Sequence, residues 1–189
     1  MNSPTELLSD TGLLRLCASG DEVAFTALYR RHQGAIFRFA LHMSGRKEVA
    51  EEITQEVFLL LIRQPRQYQP DRGSLEAFLI GIARNQLRRH SNDRRLAEFH
   101  FDETTVPAAS SGALFDDCSR ASEISSLQAA ILTLPHRYRE VIVMCDLEEK
   151  SYADAARLLG CPVGTVRSRL HRAHSILTAK ILNREKCSA

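Results

Sequence analysis

The sequence predicts an all-α protein: two small helical domains joined by a flexible acidic linker, the second a four-helix domain containing a helix-turn-helix. Three observations carry this. Apolar residues recur at three- and four-residue spacing along most of the 189 residues. Six prolines, nine glycines and no tryptophan do not suggest a β-sandwich. From Glu98 to Glu123 the composition turns acidic and small, which separates the two helical stretches.

Bulk composition bounds the function. Hydrophobic content of 44% suffices for packed cores, and a net charge of +2 means that any nucleic-acid surface must come from segregated charge. No apolar run is long enough to cross a bilayer, and MNSPTELLSD has no basic stretch followed by an apolar one, so no signal peptide is expected. Cys17, Cys118, Cys145, Cys161 and Cys187 are odd in number and lack a CxxC pair, as in a reduced cytoplasmic protein. Cys145 and Cys161 read as small buried hydrophobes. His171 and His174 are three apart, but zinc would need two more ligands from isolated positions, so neither metal nor cofactor is expected. No nucleophile elbow, phosphate loop or paired acid is present, and the chain is not expected to be an enzyme.

The first helical stretch runs from Leu7 to Ala18 and breaks at Gly20-Asp21, where Asp21 caps the next. Ala24, Phe25, Leu28, Tyr29, Ile36, Phe37, Ala40 and Leu41 mark a long amphipathic helix to about Met43, with His32 and His42 as surface or boundary residues. Glu48 to Arg63 follows, its buried stripe expected at Val49, Ile53, Val57 and Leu60. Glu52, Gln55, Glu56, Leu59 and Arg63 form a second stripe mixing carboxylates with a large aliphatic group. It suits protein docking, and composition alone leaves it equally a solvated face.

Two prolines and a glycine make Arg63 to Ser74 a loop, and Ser74 caps a helix with a core stripe of Leu75, Phe78, Leu79, Ile82, Ala83 and Leu87. Its other side carries Gly81, Arg84, Asn85 and Arg88, running into Arg89, His90, Arg94 and Arg95. Five arginines against Asp93 give Arg84 to Arg95 a net of +4, which suits a strand of nucleic acid. The plainer alternative is a basic helix end complementing the dipole. These helices make domain 1–95, and the linker spans 96–123. Between Glu98 and Glu123 six carboxylates face only Arg120, a net of −5, as a solvated tether or an electrostatic mimic of nucleic acid.

Helices resume near Ile124 with Leu127, Ala130, Ile131 and Leu134 in phase. Pro135 starts another, with Tyr138, Val141, Ile142 and Cys145 toward the core. The stretch Ser151 to His174 is the most informative. Ser151 caps a short helix with Asp154 at the capping-box position, and Ala155, Ala156, Leu158 and Leu159 face inward. Gly160 ends it, Pro162 opens the next, and Val163, Val166, Leu170 and Ala173 are expected buried. The outward face holds Gly164, Ser168, His171 and Ser175, flanked by Thr165, Arg167 and Arg172. Such a helix can enter a major groove, where arginine reads guanine edges. The domain spans 124–182, with a tail at 183–189.

At this point the chain resembles the extracytoplasmic-function (ECF) sigma factors of bacterial RNA polymerase. The resemblance rests on DEVAFTALYRRH (Asp21 to His32), AEEITQEVFLLLIR (Ala50 to Arg63), SLEAFLIGIARNQLRRH (Ser74 to His90) and the stretch from Leu134 to His174, above all LGCPVGTVRSRLHRA. It implies that Glu52, Gln55, Glu56, Leu59 and Arg63 dock on the clamp helices of the largest subunit of core RNA polymerase. It implies that Asn85 helps hold a flipped base of the melted non-template strand at the proximal promoter element, with Arg84, Arg88 and Arg89 on phosphates. It places Arg167, Ser168, His171 and Arg172, with Thr165 close by, on the distal element in duplex form. An anti-sigma partner is implied in the same way. Phe78 stands where the family usually has Trp, and the residues around Gln86, Arg89 and His171 leave the promoter motif open. The rival readings are a dimeric helix-turn-helix regulator acting without polymerase docking, which leaves the Glu52 to Arg63 stripe unexplained, and a metal-dependent enzyme, which would require bound zinc.

Overall fold

A computed structural model describes residues 8–99 and 126–187, with side chains described for 8–90 and 126–181. Among these residues every regular element is helical. Helix α1 (Asp10–Ala18) starts where the Ser9 hydroxyl accepts the Gly12 N–H, three residues beyond the expected start at Leu7, which lies outside the described residues. Helix α2 (Glu22–Ser44) is capped by Asp21, whose carboxylate accepts from the N–H groups of Val23 and Ala24. It ends at Gly45 in the left-handed conformation (φ 70°). His32, expected at the surface or boundary, is buried, because Asp10 on α1 covers it with a carboxylate 3.0 Å from Nε2. The same carboxylate accepts from Arg31 at 2.6 Å, so one acid ties α1 to α2 twice.

Helix α3 (Lys47–Arg63) buries Val49, Ile53 and Val57 as expected, but the stripe continues to Leu61, and Leu60 is only half-buried. Steps of four along a 3.6-residue helix carry the stripe 49–53–57 to 61. Phe58 widens it, packing on Phe25 and Tyr29 of α2 with ring centroids 6.3 and 4.6 Å away. Thr54 is buried on the same side, its hydroxyl satisfied by the Ala50 carbonyl at 2.7 Å. The loop after Pro65 makes two 3-10 turns, Pro65–Gln67 and Pro70–Arg72. Ser74 then caps helix α4 (Leu75–Phe99) by accepting the Ala77 N–H.

In α4, Leu75, Leu79, Ala83 and Leu87 are buried as expected, joined by Ile80. Phe78 and Ile82 are only partly buried. Phe78 lies at the edge, its ring 5.7 Å from Tyr68 of the preceding loop, while Ile80 turns inward because α4 touches α2, α3 and α7.

The second group of helices begins with α5 (126–132). Ala130 and Ile131 are buried but Leu127 is exposed, since only the last turn of α5 reaches the core. Helix α6 (His136–Ile142) passes into a π-helical turn, Val143–Leu147, followed by Glu149 at positive φ. Helix α7 (Tyr152–Leu159) has the expected Ser151 cap. The hydroxyl accepts the Asp154 N–H and donates to the Asp154 carboxylate, a variant of the capping box. Gly160 (φ 62°, ψ 42°) closes α7, with the Cys161 N–H reaching back to the Ala156 carbonyl. Helix α8 (Val163–Cys187) buries Val166, Leu170, Ala173 and Leu177, whereas Val163, expected inside, is exposed on its first turn beyond the cover of α7.

Two helix ends give a paired prediction. Ala at position 160 must adopt left-handed backbone in open space, so Gly160→Ala is expected to cost about 1 kcal/mol. Gly45→Ala meets the same strain, and its new methyl also presses on Leu132 Cδ1 of α5, so the loss is larger. Denaturant titration of both variants measures the order; equal losses would show that the Leu132 side chain simply moves aside.

Candidate functional site

Three surfaces expected from the sequence are presented by three different helices. On α8, Arg167, Ser168, His171 and Arg172 are exposed along one side and Thr165 is half-buried at its start. That spacing follows from burying Val166, Leu170 and Ala173 against α6 and α7, which leaves the intervening positions outward. The Ser168 hydroxyl donates to the Thr165 carbonyl at 3.1 Å, while the Arg167 guanidinium lies over the Tyr152 ring, 5.9 Å from its centroid. His174 is turned away, with Nε2 2.6 Å from the Asp146 carboxylate. Among the described residues no group of three acids, histidines or cysteines could hold a metal ion.

On α3, Glu52, Gln55, Leu59 and Arg63 are exposed and Glu56 is half-buried. Leu59 is 48% exposed and Ile62, one turn on, is 46% exposed, making an apolar pair bordered by carboxylates. Ile62 stands at i+3 from Leu59, a helical neighbour that the stripe read from the sequence leaves out.

The α4 surface is divided. Asn85, Arg88 and Arg89 are exposed, and the side chains of Arg94 and Arg95 lie outside the described residues. Arg84 instead reaches across to the second group of helices. Its Nε and Nη2 donate to the two oxygens of Glu140 on α6 at 2.6 and 3.0 Å, and Nη1 donates to the Leu159 carbonyl at the end of α7. Glu140 is 2% exposed, and its Oε1 also lies 3.1 Å from Nδ1 of His136. Burial alone would raise the Glu140 carboxyl. The hydrogen bonds from His136 and Arg84, with their charge, outweigh that and hold it below the ordinary glutamate range.

Further polar ties join the same two groups of helices. The Arg38 Nε donates to both oxygens of Glu148, and Lys150 Nζ donates to Glu76 at 3.0 Å. Arg139 Nη1 donates to the Met43 carbonyl at 2.6 Å, which burial permits at the expense of its own basicity. None of these partners was singled out from the sequence. Glu140 carried the only available signal: a carboxylate beside the apolar Val141-Ile142 pair, four residues after a histidine. Cys145 is half-buried, and burial followed by the nearby Asp146 charge pushes its thiol up to about 11, which disfavours the reactive thiolate.

Comparison with known proteins finds the family described as Sigma-70 region 2 over residues 28–96, and the family described as Sigma-70, region 4 over residues 124–175. The ECF RNA polymerase sigma factor SigE of Mycolicibacterium smegmatis is 34% identical over 175 residues, covering 88% of this chain and 66% of its own length. SigM of Mycobacterium tuberculosis is 30% identical, covering 89% of this chain and 83% of its own length. Among solved structures, the sigma factor RpoE in complex with the anti-sigma factor NepR from Bartonella quintana is 26% identical with a TM-score of 0.55, covering 78% of this chain and 89% of that one. CnrH in complex with the cytosolic domain of CnrY shares the fold, at 24% identity and a TM-score of 0.64, covering 91% of this chain and 96% of that one.

Because the folded-state Glu140 carboxyl titrates below its unfolded value, the stability it confers is complete above the ordinary glutamate range and is lost as pH falls through the lowered value. The difference in thermal stability between the native chain and Glu140→Gln should therefore be full at neutral pH and fade on acidification. A difference independent of pH would contradict it. At neutral pH, Arg84→Ala strands the carboxylate beside His136 alone and should cost about 3 kcal/mol.

Proposed function

The chain belongs to the ECF sigma factors of bacterial RNA polymerase, and from that premise we propose that it binds core polymerase and directs it to a subset of promoters. The observation that carries this is the order of parts on one chain: a region 2 match over 28–96 and a region 4 match over 124–175, each with an exposed cationic helix face. In this reading residues 1–95 and 124–182 are the two working domains, joined by 96–123. The protein lends specificity and promoter melting to polymerase without being an enzyme itself, and it works in the cytoplasm beside that polymerase.

Each surface has a chemical role. The α8 face offers two arginines, a hydroxyl and an imidazole at helical spacing, fit for base edges and phosphates of the duplex distal element. The α4 face offers the Asn85 amide to an unstacked base and Arg84, Arg88 and Arg89 to the phosphates of the melted proximal element. The α3 face, with Leu59 among Glu52, Gln55, Glu56 and Arg63, docks on the clamp helices of the largest polymerase subunit. Ile62 extends its apolar centre. An anti-sigma protein is the expected inhibitory partner; the Bartonella relative is solved in complex with the anti-sigma factor NepR. A dimeric regulator working on duplex DNA alone would have no use for the α3 and α4 faces.

Two substitutions test the assignments separately. Arg167→Ala should weaken binding to the distal element by about 1–3 kcal/mol in a sequence-dependent way, measured by titrating duplexes that vary one base pair at a time; a uniform loss on all duplexes would reduce Arg167 to a phosphate contact. Replacing Gln55 and Leu59 together by Ala should lower affinity for purified core polymerase while helical content stays unchanged. Unaltered affinity would remove α3 as the docking surface.

A further inference from the structure

We propose that the chain carries a small-molecule site separate from its three faces: a cationic pocket lined by Arg46, His90, His136 and Arg139 that takes a dianionic phosphate group, free or as the terminal group of a small phosphorylated compound.

The pocket has a volume of about 190 Å³ and lies where the end of α2, the start of α3, α4 and the start of α6 meet. That is small beside the roughly 300–1,000 Å³ of sites for drug-sized ligands, so it suits one compact group. Among the described residues, two buried side-chain nitrogens lack a hydrogen-bond partner: Nε2 of His136 and Nε of Arg139. Both residues line this one pocket. Folded proteins pair nearly all such atoms, and two exceptions in a single wall point to a ligand that pairs them.

The remaining nitrogens of both side chains are already held. Nδ1 of His136 lies 3.1 Å from Glu140 Oε1. Arg139 donates through Nη1 to the Met43 carbonyl and through Nη2 to the carbonyls of Leu132 and Leu134. These bonds hold the two side chains in the wall and leave one nitrogen on each for a further partner. Both nitrogens are covered in this conformation, so an anion meets them as the wall shifts slightly to admit it, in surroundings where a charge-assisted bond is strong.

The charge around the pocket favours an anion. Arg46 is exposed at its rim, and its side chain has no partner among the described residues. Arg46 is also the N-cap residue of α3 and gives it no side-chain cap, so the free N–H groups of that first turn add positive potential. No carboxylate lines the pocket. The nearest acids lie behind it: Glu140 is committed to Arg84, and Glu52 is 3.9 Å from His90. Donors arriving from several helices match a terminal phosphate, which presents three unesterified oxygens and two charges. A backbone phosphodiester presents two such oxygens and one charge.

The test titrates the full-length chain with inorganic phosphate against chloride at matched ionic strength, reading melting temperature and the phosphorus NMR line width. Binding to the folded chain should raise the melting temperature saturably. Arg46→Ala should weaken phosphate binding about fivefold and leave the melting temperature in chloride unchanged, since Arg46 holds nothing within the fold. Arg30→Ala removes an exposed arginine about 20 Å from Ser44 along α2 and should bind phosphate as the native chain does. Methyl phosphate should compete with inorganic phosphate, and dimethyl phosphate should not. If phosphate acts no differently from chloride, or if Arg30→Ala loses as much as Arg46→Ala, the effect is general screening and the pocket is no site. If dimethyl phosphate competes as well as methyl phosphate, the pocket accepts a phosphodiester and the assignment to a terminal phosphate is overturned.

Discussion

A carboxylate buried to 2% exposure is costly to keep unless it is paired, and Glu140 is the point on which the arrangement of the two halves turns. It draws Arg84 out of α4, fixes His136 on its own helix and, through the third nitrogen of Arg84, reaches the carbonyl end of α7. One acid thus registers α4, α6 and the first helix of the helix-turn-helix against one another. Removing its partner would leave a buried charge unpaired, so the pair also specifies how these helices meet.

Each half has an apolar interior of its own, and both apolar and polar contacts join the two. Within residues 8–99 the grip is aromatic and aliphatic: Phe25 and Tyr29 of α2 clasp Phe58 of α3, and Leu13, Leu28, Ile36 and Phe39 fill the space beneath them. Within 126–187, Ile142, Met144, Leu159, Val166 and Leu170 do the same. Across the seam, polar ties through Arg84, Arg38, Arg139 and Lys150 stand beside apolar contact, with the Leu132 side chain of α5 against Gly45.

Most of the helices were legible because their signals are local. Asp21, Ser74 and Ser151 cap where side-chain oxygens meet free N–H groups, and Gly45 and Gly160 end helices in the one backbone region that favours glycine. The misplacements arise where a helix has more than one neighbour or too little cover. Ile80 is buried and Phe78 is not, because α4 is contacted from several sides and a single stripe cannot describe it. Leu127 and Val163 are in phase with their cores but lie on terminal turns that no described residue covers. The outward residues of α3 and α8 could be read directly from which positions their cores consume. The destination of Arg84 could not, since the partner is 56 residues away in sequence and only packing brings it close.

The central claim is that this chain turns core polymerase toward particular promoters. The most direct measurement is transcription in vitro from a randomised promoter library by purified bacterial core polymerase, with and without the chain. The account predicts initiation that depends on the protein and selects templates sharing two separated elements, one upstream and one within the melted region. No initiation, together with tight binding to a palindromic duplex in the absence of polymerase, would contradict it and make the protein a conventional duplex-binding regulator.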